Sequence, residues 1–280
     1  MHELNVVDET FELKRAKEYH ISIQVGLDGF SFCILDIRRN KYIVLRHIPL
    51  IVGKPNFLSR KIETIFDQEE ILNTVYQSVS ITYSTNKATL IPKEFSEGNS
   101  SMVANFTHEI SRNEEVGTNN LPGFNYQLIY AYPKDLISFF NTKYTDFQFT
   151  HKSIPLLSAL LNQRSEKKRT LLLNFEKKYI RIIALSGDQI LLYNSFYFKS
   201  ETDFLYYALN VCHSLQFDAE RDEIVIGGYV ANDSGYIRLL KKYIGNIQFL
   251  KPSTDFGYGN IFEKTQKHQF VSLLNTYPCA

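Results

Sequence analysis

The chain has no tryptophan, only two methionines and only three cysteines in 280 residues. Cys33, Cys212 and Cys279 are too few and too scattered for a disulfide framework, and no two stand at a metal-ligand spacing. Reduced, mostly buried thiols are expected. No apolar run is long enough to cross a bilayer, and Met1 to Thr10 lack the basic and apolar regions of a signal peptide. The expected location is the cytoplasm, without membrane insertion. Charge of either sign is not in excess, with 31 Lys and Arg against 30 Asp and Glu, so nucleic acid is not indicated by net charge. The seven histidines form no ligand-spaced pair, and neither a P-loop nor a G-x-S-x-G sequence is present. No catalytic residue and no metal site is assigned.

What the chain does have is a local pattern that occurs twice. Residues 19–25, 30–35 and 42–45 alternate as strands, separated by the turns Gly26-Leu27-Asp28-Gly29 and Arg38-Arg39-Asn40-Lys41. Residues 170–175, 179–185 and 189–193 repeat this, with turns at Glu176-Lys177-Lys178 and Ser186-Gly187-Asp188. Each triplet is followed by alternating helix and strand, which points to two like α/β domains facing each other across a cleft. The polar run 162–169 marks the boundary, giving a first domain over 1–165 and a second over 166–280, with a last helix that can pack back on the first.

Between the landmarks, residues 1–18 read as an arm or short edge strand. A helix is predicted over 69–77 behind Asp67-x-x-Glu70, and a hairpin is predicted from 78–84 and 88–92. Residues 94–123 read as a polar surface insertion with at most one helix, near 102–110. The second half continues with a helix behind Ser200-Glu201-Thr202-Asp203, whose apolar Phe204, Ala208, Val211 and Leu215 share one face. A strand over 223–226 then ends at Gly227-Gly228, and helices are predicted over 233–243 and 262–274.

A three-strand opening followed by helix, strand, helix and strand, given twice, resembles the actin, sugar-kinase and heat-shock-protein ATPase superfamily. Within it the second half is similar to actin-like pilus-assembly proteins and to the cytoplasmic domain of the type II secretion L protein. The whole chain, including Ala-Thr-Leu-Ile-Pro-Lys-Glu-Phe (88–95) and Ile-Tyr-Ala-Tyr-Pro (129–133), resembles a bacterial family of unknown function, typical of Bacteroidetes, that carries this fold. The resemblance implies duplicated actin-like ATPase (ribonuclease H-like) domains, each with a mixed sheet opened by three antiparallel strands.

It also implies where a nucleotide would bind. Active members carry Asp-x-Gly at the first hairpin of each half, the carboxylate holding hydrated Mg²⁺ and the glycine letting backbone N–H groups approach phosphate. Here the first hairpin reads Gln24-Val25-Gly26-Leu27-Asp28-Gly29 and the second Asn174-Phe175-Glu176-Lys177-Lys178, so neither strand end has the acid. Gly227-Gly228 stands where the superfamily's adenosine motif would. The candidate cofactor-binding residues are therefore Gly26, Asp28, Gly29, Lys177, Lys178, Gly227 and Gly228. Each has a plainer reading as well, a hairpin turn, solvated lysines or a close-packed strand end.

The expectation is a degenerate member, non-catalytic, with no cofactor beyond weak nucleotide binding and with a protein partner. The alternatives are a divergent ATPase or kinase recruiting its metal through Asp28 or Glu176, and a nucleic-acid-associated protein using the basic turns.

Overall fold

The computed structural model describes residues 2–95, 98, 100–165, 168–218 and 220–277. Cys279, Glu166 and Lys167 of the expected linker, and Asn99 of the expected insertion lie outside the described residues. The chain forms two compact units, one of Met1–Pro155, Ser253–Thr265 and Ser272–Ala280, the other of Leu156–Pro252 and Gln266–Val271.

In the first unit β1 (Leu4–Val7), β2 (Tyr19–Gly26), β3 (Gly29–Asp36), β4 (Lys41–Pro49) and β5 (Ser78–Ser84) join one sheet. A second, three-stranded sheet has the order β6 (Ala88–Pro92), β8 (Tyr126–Pro133), β7 (Glu114–Asn120). β9 (Gln148–His151) completes the main path β1-β4-β3-β2-β5-β9. In it β2, β3 and β4 are antiparallel, and β5 and β9 run parallel to β2.

Every residue of β2 and β3 is buried, so both sheet faces are covered. One face presents Ile21, Ile23, Val25, Phe30, Phe32 and Ile34 to a core shared with Leu58, Ile62, Ile65 and Phe66 of α1 (Leu58–Gln68). The spacing of four, three and one keeps those four on one helical face. The opposite face is polar: His20, Ser22, Gln24 and Ser31 alternate with the apolar positions. The C-terminal segment lies on it. Ser272 Oγ donates to Gln24 Oε1 at 2.7 Å, Tyr42 Oη donates to the Leu274 carbonyl at 2.6 Å, and the Tyr277 ring sits 4.7 Å from His20.

Buried histidines on this face make stability depend on pH. His20 meets Ser78 and Ser22 hydroxyls at 2.7 and 3.0 Å, and His47 meets Ser31 at 2.7 Å. Burial pushes their pKa values down from 6.5 to about 3 and about 4. A depressed histidine pKa means the unfolded chain binds protons first, so the contribution is complete above pH 6.5 and is lost as pH falls toward 4 and then 3. We expect each to remove up to about 1.4 kcal/mol per pH unit in that window. Urea midpoints between pH 7 and pH 4 check this, and His47→Gln should flatten the slope.

Three expectations fail here. The helix behind Asp67 is absent: Glu69 N–H bonds to the Ile65 carbonyl and closes α1, so Asp67-x-x-Glu70 marks an end, and Glu70–Asn73 is a 3₁₀ turn. Pro55 opens the 3₁₀ turn that leads into α1, where its missing N–H is tolerated. The hairpin is also absent. β5 pairs with β2 and β6 pairs with β8, because alternation shows that a strand exists and not which strand it joins. The polar insertion holds α2 (Ser100–Thr107) and also β7, whose polar residues occupy a sheet edge. Helix α3 (Lys134–Lys143) follows Pro133.

The second unit has the sheet order β12 (Gln189–Tyr197), β11 (Tyr179–Ser186), β10 (Thr170–Phe175), β13 (Glu223–Gly228), β14 (Ile247–Phe249). Again the first three are antiparallel and the last two run parallel to β10. Helix α4 (Ser153–Gln163) leads into this unit. Helix α5 (Glu201–Ser214) starts at a full capping box, with Ser200 Oγ accepting from Asp203 N–H at 3.1 Å and Asp203 Oδ2 accepting from Ser200 N–H at 3.2 Å. Phe204, Ala208 and Val211 are buried against β10, β11 and α6 (Gly235–Leu240). The predicted last helix breaks into 3₁₀ turns at Asn260–Phe262 and Lys267–Phe270 and a four-residue helix, Val271–Leu274. Its apolar Phe262, Phe270, Leu273 and Leu274 are buried all the same.

Candidate functional site

Parallel strands place their loops together at one end, and in open α/β sheets that carboxyl end is where ligands bind. In the first unit the turn after β2 is Gly26-Leu27-Asp28-Gly29, beside the ends of β5 and β9. Neither glycine has a positive φ, so turn conformation is not what requires them. Space is the reason. A Cβ on Gly29 would stand 2.8 Å from His47 Cε1, and one on Gly26 would stand 3.0 Å from Ser84 Cβ. The turn carbonyls are also occupied, since Leu50 N–H bonds to the Asp28 carbonyl and Val52 N–H to that of Leu27.

In the second unit the register sets Phe175 opposite Gly228, so the turn Glu176-Lys177-Lys178-Tyr179 and the bend at Gly227-Gly228 emerge side by side. Lys177, Lys178, Gly227 and Gly228 are thus brought together as one group in this unit, and Gly26, Asp28 and Gly29 as one in the first. Both lysines are exposed. Gly228 has φ +78°, and a Cβ there would lie 2.1 Å from the Phe175 carbonyl oxygen. The bend's own N–H groups are engaged, Tyr229 with the Phe175 carbonyl at 2.9 Å and Val230 with that of Gly228 at 2.8 Å. The Tyr229 donor holds the end of β13 against β10, and the Val230 donor closes the bend on itself.

The strand-end positions are equivalent in register: Gln24 pairs with Ser31 across β2 and β3, and Asn174 pairs with Arg181 across β10 and β11. Arg181 is fully buried. Its Nη1 lies 3.2 Å from Glu176 Oε1, its Nε donates to Ser195 Oγ at 3.1 Å, and its guanidinium carbon is 5.6 Å from the Tyr193 ring centre. The Glu176 charge raises the guanidinium's pKa against the opposing effect of burial, which is the larger single influence but not the net direction. Glu176, itself 6% exposed, is therefore held by a buried cation. Sequence reasoning missed this pair, although an arginine inside Tyr-Ile-Arg-Ile-Ile-Ala-Leu (179–185) was a visible signal for a buried partner. Among the described residues no cluster of three His, Cys, Asp or Glu is placed to hold a metal, and no helix is long and apolar enough to cross a membrane.

Two mixed α/β units with these sheet orders define a protein of the actin-like ATPase fold. A crystal structure from Bacteroides thetaiotaomicron, of a protein with actin-like ATPase fold and unknown function, is similar over 86% of this chain and 93% of that chain, at 27% identity and a TM-score of 0.77. A chain of the PilM-PilN type IV pilus biogenesis complex matches 93% of this chain and 98% of its own, at 11% identity and a TM-score of 0.59, a likeness of fold. The chain belongs to the family described as "Protein of unknown function (DUF3822)", which matches residues 8–247. No curated protein matches it.

Proposed function

We propose that this chain is an internally duplicated, degenerate actin-like protein that works in the cytoplasm as a binding or scaffold protein, with at most weak nucleotide binding. The observation that carries the degenerate reading is the Arg181–Glu176 pair. The acid nearest the second strand end is neutralised by a buried guanidinium at 3.2 Å, which disfavours recruitment of a divalent cation there. Gln24, at the first strand end, is buried and already accepts from Ser272, which leaves little room for a hydrated metal.

Support for duplication comes from matched detail. Five strands of the first sheet share the order and direction of the second, and in both the register shifts after the sixth residue of the triplet's second strand, at Ile34/Leu35 and at Ala184/Leu185, with one extra residue, Ile43 or Leu191, on the third. A protein partner is the ligand class to test first, since the similar PilM chain is seen in a complex with PilN.

Steady-state phosphate release with Mg-ATP is expected to stay at background. Turnover that disappears in Asp28→Asn would replace this reading with that of a divergent ATPase. Any nucleotide affinity should lie near the millimolar end, about 4 to 6 kcal/mol, and depend little on magnesium. Calorimetry on Lys177→Ala/Lys178→Ala, a change of two exposed side chains, measures the lysines' share without disturbing the fold.

A further inference from the structure

In the first unit the parallel strands β5 and β9 do not start level. β5 pairs with β2 from Ser78, but with β9 only from Ser80, opposite Gln148. A cavity of about 360 Å³ lies at these strand starts, lined by residues 73–80 and 143–148 and by His20, at the end of the sheet opposite the turn Gly26-Leu27-Asp28-Gly29. That volume is at the small end of the range for ligand pockets.

Its lining says what fits. One buried hydroxyl has no partner: Ser80 is 2% exposed, and its Oγ makes no hydrogen bond. Buried polar groups are rarely left so, and a ligand atom bonded there would offset the cost of taking this one from water. The wall also carries two opposite charges, Lys143 and Asp146, that do not pair with each other. Among the described residues neither has an ion-pair partner. Lys143 Nζ donates to the Asn73 amide oxygen at 3.3 Å and lies 5.4 and 5.7 Å from the Phe66 and Phe139 ring centres. His20 adds no charge near neutral pH, because burial keeps its imidazole unprotonated. Tyr76 and Tyr144 donate their hydroxyls to the Ile71 and Leu72 carbonyls at 2.7 and 2.8 Å, so they offer a ligand ring surface, beside Phe147.

We propose that this cavity binds a free α-amino acid with an apolar side chain. Lys143 meets the carboxylate, Asp146 meets the ammonium group, Ser80 Oγ supplies a further hydrogen bond, and the side chain packs on the rings. A ligand of one charge sign would satisfy one of the two charged residues and be repelled by the other. A neutral ligand would pair with neither, so a zwitterion is the matching chemistry. Nothing in this site draws on the strand-end positions discussed above, and it goes beyond the proposed function.

Calorimetry of the full chain with L-phenylalanine tests this beside two analogues that each lack one charge. Phenethylamine has no carboxylate, and 3-phenylpropanoate has no ammonium group. L-Phenylalanine is expected to bind with a dissociation constant below about 1 mM, and each analogue about tenfold more weakly or worse. Lys143→Gln should weaken L-phenylalanine about tenfold and erase its advantage over phenethylamine, and Asp146→Asn should do the same against 3-phenylpropanoate. Ser80→Ala should weaken binding severalfold without lowering the urea midpoint, because the hydroxyl it removes has no partner to lose. Asp146 is exposed and Lys143 half-buried, so circular dichroism should be unchanged in these variants. No saturable binding of L-phenylalanine, or of the smaller L-leucine, up to about 10 mM overturns the proposal. So does an analogue that binds as tightly as the amino acid, or binding indifferent to Lys143→Gln and Asp146→Asn.

Discussion

Gly228→Val is expected to abolish stable folding of the second unit, or to cost it about 3 kcal/mol or more. Two independent effects act at this position. The backbone has φ +78°, a region that a β-branched residue enters only with strain, and the new Cβ would overlap the Phe175 carbonyl oxygen at 2.1 Å and its amide nitrogen at 2.8 Å. Neither contact can relax by turning a side chain, because both partners are backbone of the central strand β10. Separation of β13 from β10 is the remaining route, and it would break the Tyr229 N–H bond to Phe175 as well. Urea unfolding followed by circular dichroism measures the loss. A midpoint close to wild type would show that the bend can open, and would return Gly227-Gly228 to consideration as a ligand-binding bend.

Arg181→Ala is expected to destabilise by about 3 to 5 kcal/mol, the range for removing one partner of a buried ion pair. The carboxylate of Glu176 would be left buried without its cation, and Ser195 Oγ would lose its donor. Much of that cost belongs to the orphaned charge rather than to the attraction itself. The double variant Arg181→Met/Glu176→Gln should therefore recover a large part of the stability, since it removes both charges and roughly keeps their volume. A double-mutant cycle in urea gives the coupling. If Glu176→Gln alone proves as damaging as Arg181→Ala, with no recovery in the double variant, the pair is not the unit described here. The same proteins serve a second purpose: phosphate release by Arg181→Met asks whether freeing Glu176 creates any magnesium-dependent turnover.

These expectations rest on features of very different legibility in the sequence. The two strand triplets follow directly from alternation bounded by turn residues, and the structure places them within a residue or two at most ends, with β4 and β12 each running four residues past the expected end. The capping box at Ser200 was equally plain, since it is a local contact between residues three apart. The failures share a cause as well. Asp67-x-x-Glu70 carries a start signal, yet the core takes Leu58, Ile62, Ile65 and Phe66, and burying those four outweighs a marginal cap. The pairing of β5 with β2, and of β6 with β8, joins segments whose partners lie far along the chain, which no local pattern encodes.

For the candidate residues the division runs along the same line. The absence of acids at Gln24 and Asn174, and the presence of glycines at 26, 29, 227 and 228, are statements of composition at a position, and the sequence alone determined them. It could not say why the glycines are there. Only the tertiary structure showed that Gly29 makes room for His47 and Gly228 for the Phe175 backbone, and that Arg181 reaches Glu176. Local hydrogen bonding and periodicity act over a few residues and are written in order along the chain. Close approach, burial and charge pairing act over a few ångströms in space, and exist only once folding has brought distant residues together.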